Sequence, residues 1–144
     1  MKIIKDILAA KGDDLYTILP DATVYEALSL MAEKNVGALV ILEGERLAGL
    51  ISERDYARKV ILKGKFSKDT PVHEIMTRDP VTVTLDHDLE HCMELMTDKR
   101  VRHLPVVQEE RVIGIISIGD VVKGIIDHKE FIIQELQKYI KGQH

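Results

Sequence analysis

The chain has no tryptophan, a single cysteine (Cys92), and only 4% aromatic residues among its 144. Aromatic platforms of the kind that stack single-stranded nucleic acid are therefore scarce. One cysteine cannot close an intrachain disulfide, which fits a reducing compartment. An excess of positive charge is also missing. The formal net charge is −4, so no bulk field attracts nucleic acid or an anionic membrane. Long apolar runs are absent as well. The N-terminal MKIIKDILAAKGDD has only a brief apolar stretch broken by Lys5 and Asp6, so it reads as neither a signal peptide nor a membrane span. No Ser-His-Asp spacing or glycine-rich phosphate loop stands out. These absences lead us to expect a soluble cytoplasmic protein, not an enzyme, with no nucleic-acid or membrane partner. Any phosphate site must come from a local cluster of basic side chains.

What the chain does have is a repeat. GLISERD at 49–55 returns as GIISIGD at 114–120. A shift of 65 overlays residues 17–60 on 82–125 without a gap, with 13 identities in 44 positions. They include Thr17/Thr82, Leu39/Leu104, Gly49/Gly114, Ser52/Ser117 and Asp55/Asp120. Self-similarity of this kind implies one supersecondary unit used twice. KDIL (5–8) also resembles HEIM (73–76), at a shift of 68, so the first copy carries three extra connector residues around Lys11 to Asp14.

Each copy reads alike. Val24, Ala27, Leu28 and Met31, and again Leu89, Cys92, Met93 and Met96, fall at i, i+3, i+4, i+7, which predicts an amphipathic helix. Asp21 and Asp86 precede them in the place of N-caps. VGALVIL and LAGLIS, then VRHLPVV and VIGIIS, read as strands joined by the polar turns EGER and QEER. Pro105, with no N–H, suits an edge or strand end. A second helix follows, with Ala57, Val60 and Ile61 in one copy and Val121, Val122, Ile125 and Ile126 in the other. With short leading strands at TIL and TVTL, the unit is strand, helix, strand, strand, helix. One such unit of about 60 residues buries too little apolar surface to be stable alone. Two packed about a pseudo-twofold axis solve that, giving an α+β pair with a cleft between the copies.

The repeated motif, Gly-h-h-Ser-x-x-Asp with h apolar, sits at a strand-to-helix corner. Its glycine allows close approach to the backbone. Its serine and the free N–H groups of the first helical turn suit an anion. Its aspartate suits a vicinal diol such as that of ribose. The plain alternative is a capping box, Ser at the N-cap and the acid three residues on. Capping does not account for the basic residues nearby. Arg54 lies within the first motif, Arg58 and Lys59 follow it, and Lys99, Arg100, Arg102 and His103 lie just before or at the start of the second hairpin. Arg102 and His103 interrupt an apolar strand where the first copy has Gly37 and Ala38.

On these residues the chain resembles a tandem pair of CBS domains, a Bateman module, over about residues 3–126. It is similar to the small stand-alone members of that family. The resemblance implies two β-α-β-β-α repeats about a pseudo-twofold axis plus a C-terminal helix: residues 1–70, 71–127 and 128–144. It implies binding of adenosine-containing ligands (AMP, ADP, ATP, S-adenosylmethionine or NAD(H)) and association into a flat homodimer. One site is expected at Asp55 and Ser52, with Val36, Gly37, Ala38 and Ile51 around the base and Arg102 and His103 crossing over to the phosphates. The other is expected at Asp120 and Ser117, with Ile116 nearby and Arg54 crossing over. Thr17 and Thr82 line the start of each. Gly119 stands where the first motif has Arg54, so the two sites are expected to bind unequally.

Other features are plainer. His87 and His91 are at i, i+4, but no spacing completes a metal-ligand set, and no metal is expected. Cys92 falls on the apolar face, as an inert core thiol does. In the tail, Ile132, Leu136, Tyr139 and Ile140 share one helical face. That helix is expected either to pack on its own module, with KIIKDIL as partner, or to extend a dimer contact. The functional expectation is a non-enzymatic adenine-nucleotide sensor that regulates an unidentified protein. NAD(H) or AMP is favoured, and ATP or ADP is possible, because arginines suit phosphates. The rival is a ligand-free dimeric interaction scaffold.

Overall fold

The computed structural model describes residues 2–12 and 15–142. The extra connector near Lys11 to Asp14 includes Asp13 and Asp14, which lie outside the described residues. Helix α1 (Ile4–Lys11) leads. Then come β1 (Thr17–Ile18), α2 (Val24–Lys34), the hairpin β2 (Ala38–Glu43) and β3 (Arg46–Ser52), and α3 (Glu53–Tyr56), which continues as a π-type turn over Ala57–Ile61. A 3₁₀ turn at Val72–Glu74 and β4 (Thr77–Arg78) form the linker. The second repeat has α4 (Leu89–Lys99), the hairpin β5 (His103–Gln108) and β6 (Arg111–Ser117), and α5 (Ile118–Gly142).

The first sheet runs β1-β2-β3-β4, and the second is the β5-β6 hairpin. Thr17 pairs with Val40 in a parallel ladder. Its counterpart in the second repeat shrinks to one bridge, Val83 with Val106. Proline explains the loss. Val40 donates its N–H to the Tyr16 carbonyl at 3.4 Å, and the residue 65 positions on is Pro105, which has no N–H. Pro105 sits within β5, opposite Ile115. Its carbonyl accepts from Val83, so the missing donor lies on that nearly unpaired side.

The N-caps differ from expectation. Thr23 and Asp88, not Asp21 and Asp86, cap α2 and α4, accepting from the N–H groups of Glu26 and His91. Each helix starts two residues later than the sequence pattern suggests, and Asp86 instead accepts from the Thr84 hydroxyl before α4.

There are two cores, one per repeat, and the lead segments are exchanged between them. Val72, Ile75 and Met76 of the linker join the first core. Ile4 joins the second, with Ile7 and Leu8 packed against it. The backbone agrees: Val72 N–H donates to the Ala22 carbonyl, while Ile4 N–H donates to the His87 carbonyl. The N-terminal segment grouped by sequence with the first repeat thus packs on the second. The motif glycines provide the seats. A Cβ on Gly49 would lie 2.6 Å from the Met76 sulfur, and one on Gly114 would lie 2.9 Å from Leu8 Cδ2. The close approach that these glycines permit is used by the chain's own side chains.

The tail does not pack on its module. α5 continues from the second repeat as one helix of 25 residues. Ile132, Leu136, Tyr139 and Ile140 are all exposed. The N-terminal helix meets only the first part of α5, where Ile7 approaches Gly124.

Candidate functional site

At the first corner β3 ends on Ser52, and the Ser52 hydroxyl accepts the Asp55 N–H at 3.2 Å. One Asp55 carboxylate oxygen, Oδ2, accepts the Ser52 N–H at 3.0 Å and the Ser52 hydroxyl at 3.1 Å. The other, Oδ1, lies 3.0 Å from Lys59 Nζ. Lys59 also donates to the Ile75 carbonyl at 3.0 Å. The motif is therefore a capping box first. Two of the first-turn N–H groups are already taken. Glu53 N–H donates to the Gly37 carbonyl at 3.1 Å, and Asp55 N–H is taken by Ser52. Anion binding here draws mainly on side-chain cations.

Those cations surround a cavity of about 450 Å³ at this corner, within the range of roughly 300–1,000 Å³ usual for ligand pockets. Gly37, Ser52, Arg54 and Asp55 line it from the first repeat, with Arg102 and His103 from the second. Arg54, expected to cross over to the other site, lines this one. Arg58, Lys59, Thr77 and Arg100 complete the wall, so five cations face two carboxylates, Glu53 and Asp55. Arg58 and Arg100 lie in charge runs that the sequence marks without assigning. Lys59 carries one local signal, its i+4 spacing from Asp55. Arg100 holds a left-handed backbone, φ 55°, at the C-cap of α4, as Asn35 does at the C-cap of α2.

Other expected residues lie elsewhere. Ile51 is fully buried in the first core, behind the cavity, and Ala38, 5% exposed and paired with Ser52, is not among the lining residues. Val36 lines an adjoining cleft of about 300 Å³ that shares Gly37 and Glu53. Thr17 is exposed on β1, and Thr82 is half-buried before the Val83 bridge; neither lines the cavity. His103 is held below the ordinary histidine range. Burial is the main cause, the Lys11 charge adds to it, and Asp120 opposes it.

The second corner repeats the cap. Ser117 N–H donates to Asp120 Oδ2 at 2.9 Å, and Asp120 N–H donates to the Ser117 hydroxyl at 3.1 Å. Ile116 is fully buried beside it. Here Asp120 is met by Lys11 Nζ at 2.7 Å, from α1. Burial would raise the Asp120 carboxyl. The Lys11 contact and the Ser117 hydrogen bonds outweigh it and hold the group below the usual carboxylate range.

Neither of the remaining reactive groups adds a site. Burial, with the Asp88 charge, pushes the Cys92 thiol up to about 11, which leaves it protonated and unreactive. His87 and His91 stack at 4.9 Å, and His87 Nδ1 accepts the Thr84 N–H at 3.0 Å.

The CBS domain family model matches residues 4–62 and 72–127. The chain belongs to the CBS-domain family and carries a CBS pair, a regulatory module. It is 42% identical to the mitochondrial CBS domain-containing protein CBSX3 of Arabidopsis thaliana, over 96% of this chain and 72% of that one. Its fold matches a CBS-domain protein of Burkholderia ambifaria assigned to signal transduction, with TM-score 0.84 and 46% identity over 88% of this chain and 95% of that one. It also matches the CBS domain pair of protein MJ0100 in complex with 5′-methylthioadenosine and S-adenosyl-L-methionine, with TM-score 0.79 and 26% identity over 89% of this chain and 98% of that one.

Proposed function

We propose that this chain is a non-enzymatic sensor that binds an adenine nucleotide in the cavity at Asp55. The observation that carries this reading is the convergence of five cations from both repeats on one corner. The adenosine ligands of the MJ0100 pair carry no phosphate, whereas guanidinium groups match phosphate oxygens in charge and fork geometry. We therefore favour NAD(H) or AMP, with ATP or ADP possible. Because the wall is drawn from both repeats, a bound phosphate draws the second repeat toward the first. Binding shifts the population between two packings, and a separate protein reads the difference. The compartment in this reading is the cytoplasm, in keeping with one buried thiol; the plant relative is named as mitochondrial. Among the described residues, no helix is long and apolar enough to cross a membrane.

A homodimer belongs to the same proposal. Ile118, Ile125, Ile132 and Tyr139 recur every seven residues along α5, with Val122, Lys129 and Leu136 between them. That is the spacing of a helix seam. Nine large apolar side chains of α5 stand exposed, and five of them, Ile118, Val122, Ile132, Leu136 and Tyr139, lie on this seam. A second copy supplies an identical seam. Sedimentation of wild type and Leu136→Glu tests it: a dimer that becomes a monomer is expected, and a monomeric wild type refutes it.

The nucleotide reading is tested by thermal shift with AMP, ADP, ATP, NAD, NADH and S-adenosylmethionine, after removal of any co-purified ligand. At about 100 times its dissociation constant a ligand stabilises by roughly 2.7 kcal/mol. A phosphate-bearing ligand is expected to shift the wild type and not Asp55→Ala. No shift with any ligand leaves the capping boxes as structure alone and favours the ligand-free scaffold.

A further inference from the structure

The two motif aspartates are each held by a lysine, but the lysines come from different places. Lys59 sits one turn beyond Asp55 in the same helical segment and forms part of the cavity wall. Its counterpart 65 positions on is Gly124. A side chain there would force the packing of α1 to shift, because a Cβ on Gly124 would lie 2.6 Å from both Ile7 Cδ1 and Leu89 Cδ1. Gly124 is thus the notch that admits Ile7, as Gly114 admits Leu8. With both notches filled, the last residue of α1, Lys11, reaches Asp120 Oδ2 at 2.7 Å and the Ile115 carbonyl at 2.9 Å.

We infer that α1 is a built-in occupant of the second corner, and that Lys11 decides which of the two sites takes ligand. The inference rests on the proposed nucleotide site. A vicinal diol must be received by the motif carboxylate. At Asp120 one oxygen, Oδ2, accepts both the Ser117 N–H and a lysine delivered from another element across β6. At Asp55 both oxygens are engaged, Oδ2 by Ser52 and Oδ1 by Lys59, but that lysine belongs to the same helical segment and can turn aside within the cavity wall while no other element moves. A ligand at Asp120 must lift Lys11, and with it the last turn of α1. The two ends of α1 are held differently. Its start is anchored by buried Ile4 and by the backbone hydrogen bonds Ile4 to His87 and Lys5 to Leu85. Its end is held by Leu8 and by the Lys11 contacts, and Lys11 keeps 37% of its side chain exposed. The end, not the start, is the part that can be displaced. The chain is a half-of-sites receptor whose second site opens when its N-terminal helix lets go.

Calorimetric titration with AMP tests this. One AMP per chain is expected for wild type, lost in Asp55→Ala. Lys11→Ala is expected to bind two, and Lys11→Ala with Asp120→Ala to return to one. Two AMP per wild-type chain, a single wild-type site that survives Asp55→Ala, or one AMP per folded Lys11→Ala chain each overturns the inference and leaves the nucleotide reading standing. No AMP binding by any variant removes the nucleotide reading and this inference together. A ligand-free measurement guards against a misfolded variant. Asp120→Asn is expected to raise amide exchange over residues 8–11 at least tenfold, while Asp55→Asn leaves it unchanged. Equal exchange in the two also overturns the inference.

Discussion

The two strand-to-helix corners are written in nearly the same letters and folded into the same cap, yet one opens on a cationic cavity and the other meets a lysine from α1. The motif itself does not make the difference. Ser52 with Asp55 and Ser117 with Asp120 make the same reciprocal hydrogen bonds. The divergence lies at positions outside the shared letters: Arg54 against Gly119, Lys59 against Gly124, and Gly37-Ala38 against Arg102-His103. A repeated motif of this kind supplies a dependable corner. What the corner does is decided by what neighbouring elements bring to it.

The largest expected effect tests the glycine seats. Gly49→Ala places a methyl 2.6 Å from the Met76 sulfur and 2.8 Å from the Thr77 carbonyl, whereas Gly114→Ala meets only the end of Leu8. Backbone yields less than a leucine tip. Gly49→Ala is expected to cost about 3 kcal/mol and Gly114→Ala about 1 kcal/mol in urea unfolding. Equal costs break the contrast between the two seats.

Next come the aspartates. Asp55→Ala and Asp120→Ala each lose one half of a capping box, at about 1 kcal/mol apiece. Only Asp55→Ala is expected to lose the roughly 2.7 kcal/mol conferred by AMP at about 100 times its dissociation constant, read by thermal unfolding with and without AMP. Loss in Asp120→Ala alone reverses the assignment of the working site.

Arg100→Asn copies Asn35 of the first repeat into a backbone position with φ 55°. Relief of the left-handed strain is expected to stabilise the fold by about 1 kcal/mol, while removing a cavity cation weakens AMP binding. Stabilisation with unchanged AMP affinity takes Arg100 out of the site.

The smallest effect is that of pH. His103 is half-buried and held below its ordinary value of 6.5. As pH falls below about 6.5 the unfolded chain takes up this proton before the folded chain does, so stability drops on acidification. His103→Ala, which copies Ala38, is expected to flatten that slope in unfolding curves between pH 7 and 5. An unchanged slope assigns it to other groups.

Much of this was legible because it is local. The apolar spacing of α2 and α4, the β-branched hairpins and their polar turns are each set within a dozen residues. The Ser-x-x-Asp caps were legible too, although the helix starts at Thr23 and Asp88 were not, since several polar residues there compete for one role. Ile51 was read as cavity-lining because pattern alone cannot say which face of a strand meets ligand and which meets the core. Lys11 gave no signal at all, being 109 positions from Asp120.

The sequence by itself determined that there are two copies of one α+β unit, where its principal helices and hairpins lie, and where the cap-forming corners fall. These follow from periodicity, turn residues and hydrogen bonding between near neighbours. Only the tertiary structure decided that the N-terminal segment serves the second repeat and the linker the first, that Gly124 is a notch and not a gap, and that Lys11 stands in for an absent helix lysine. Those outcomes depend on which surfaces meet across the fold. Close packing selects them through clashes of a single methyl group, and that selection acts between residues that have no proximity along the chain.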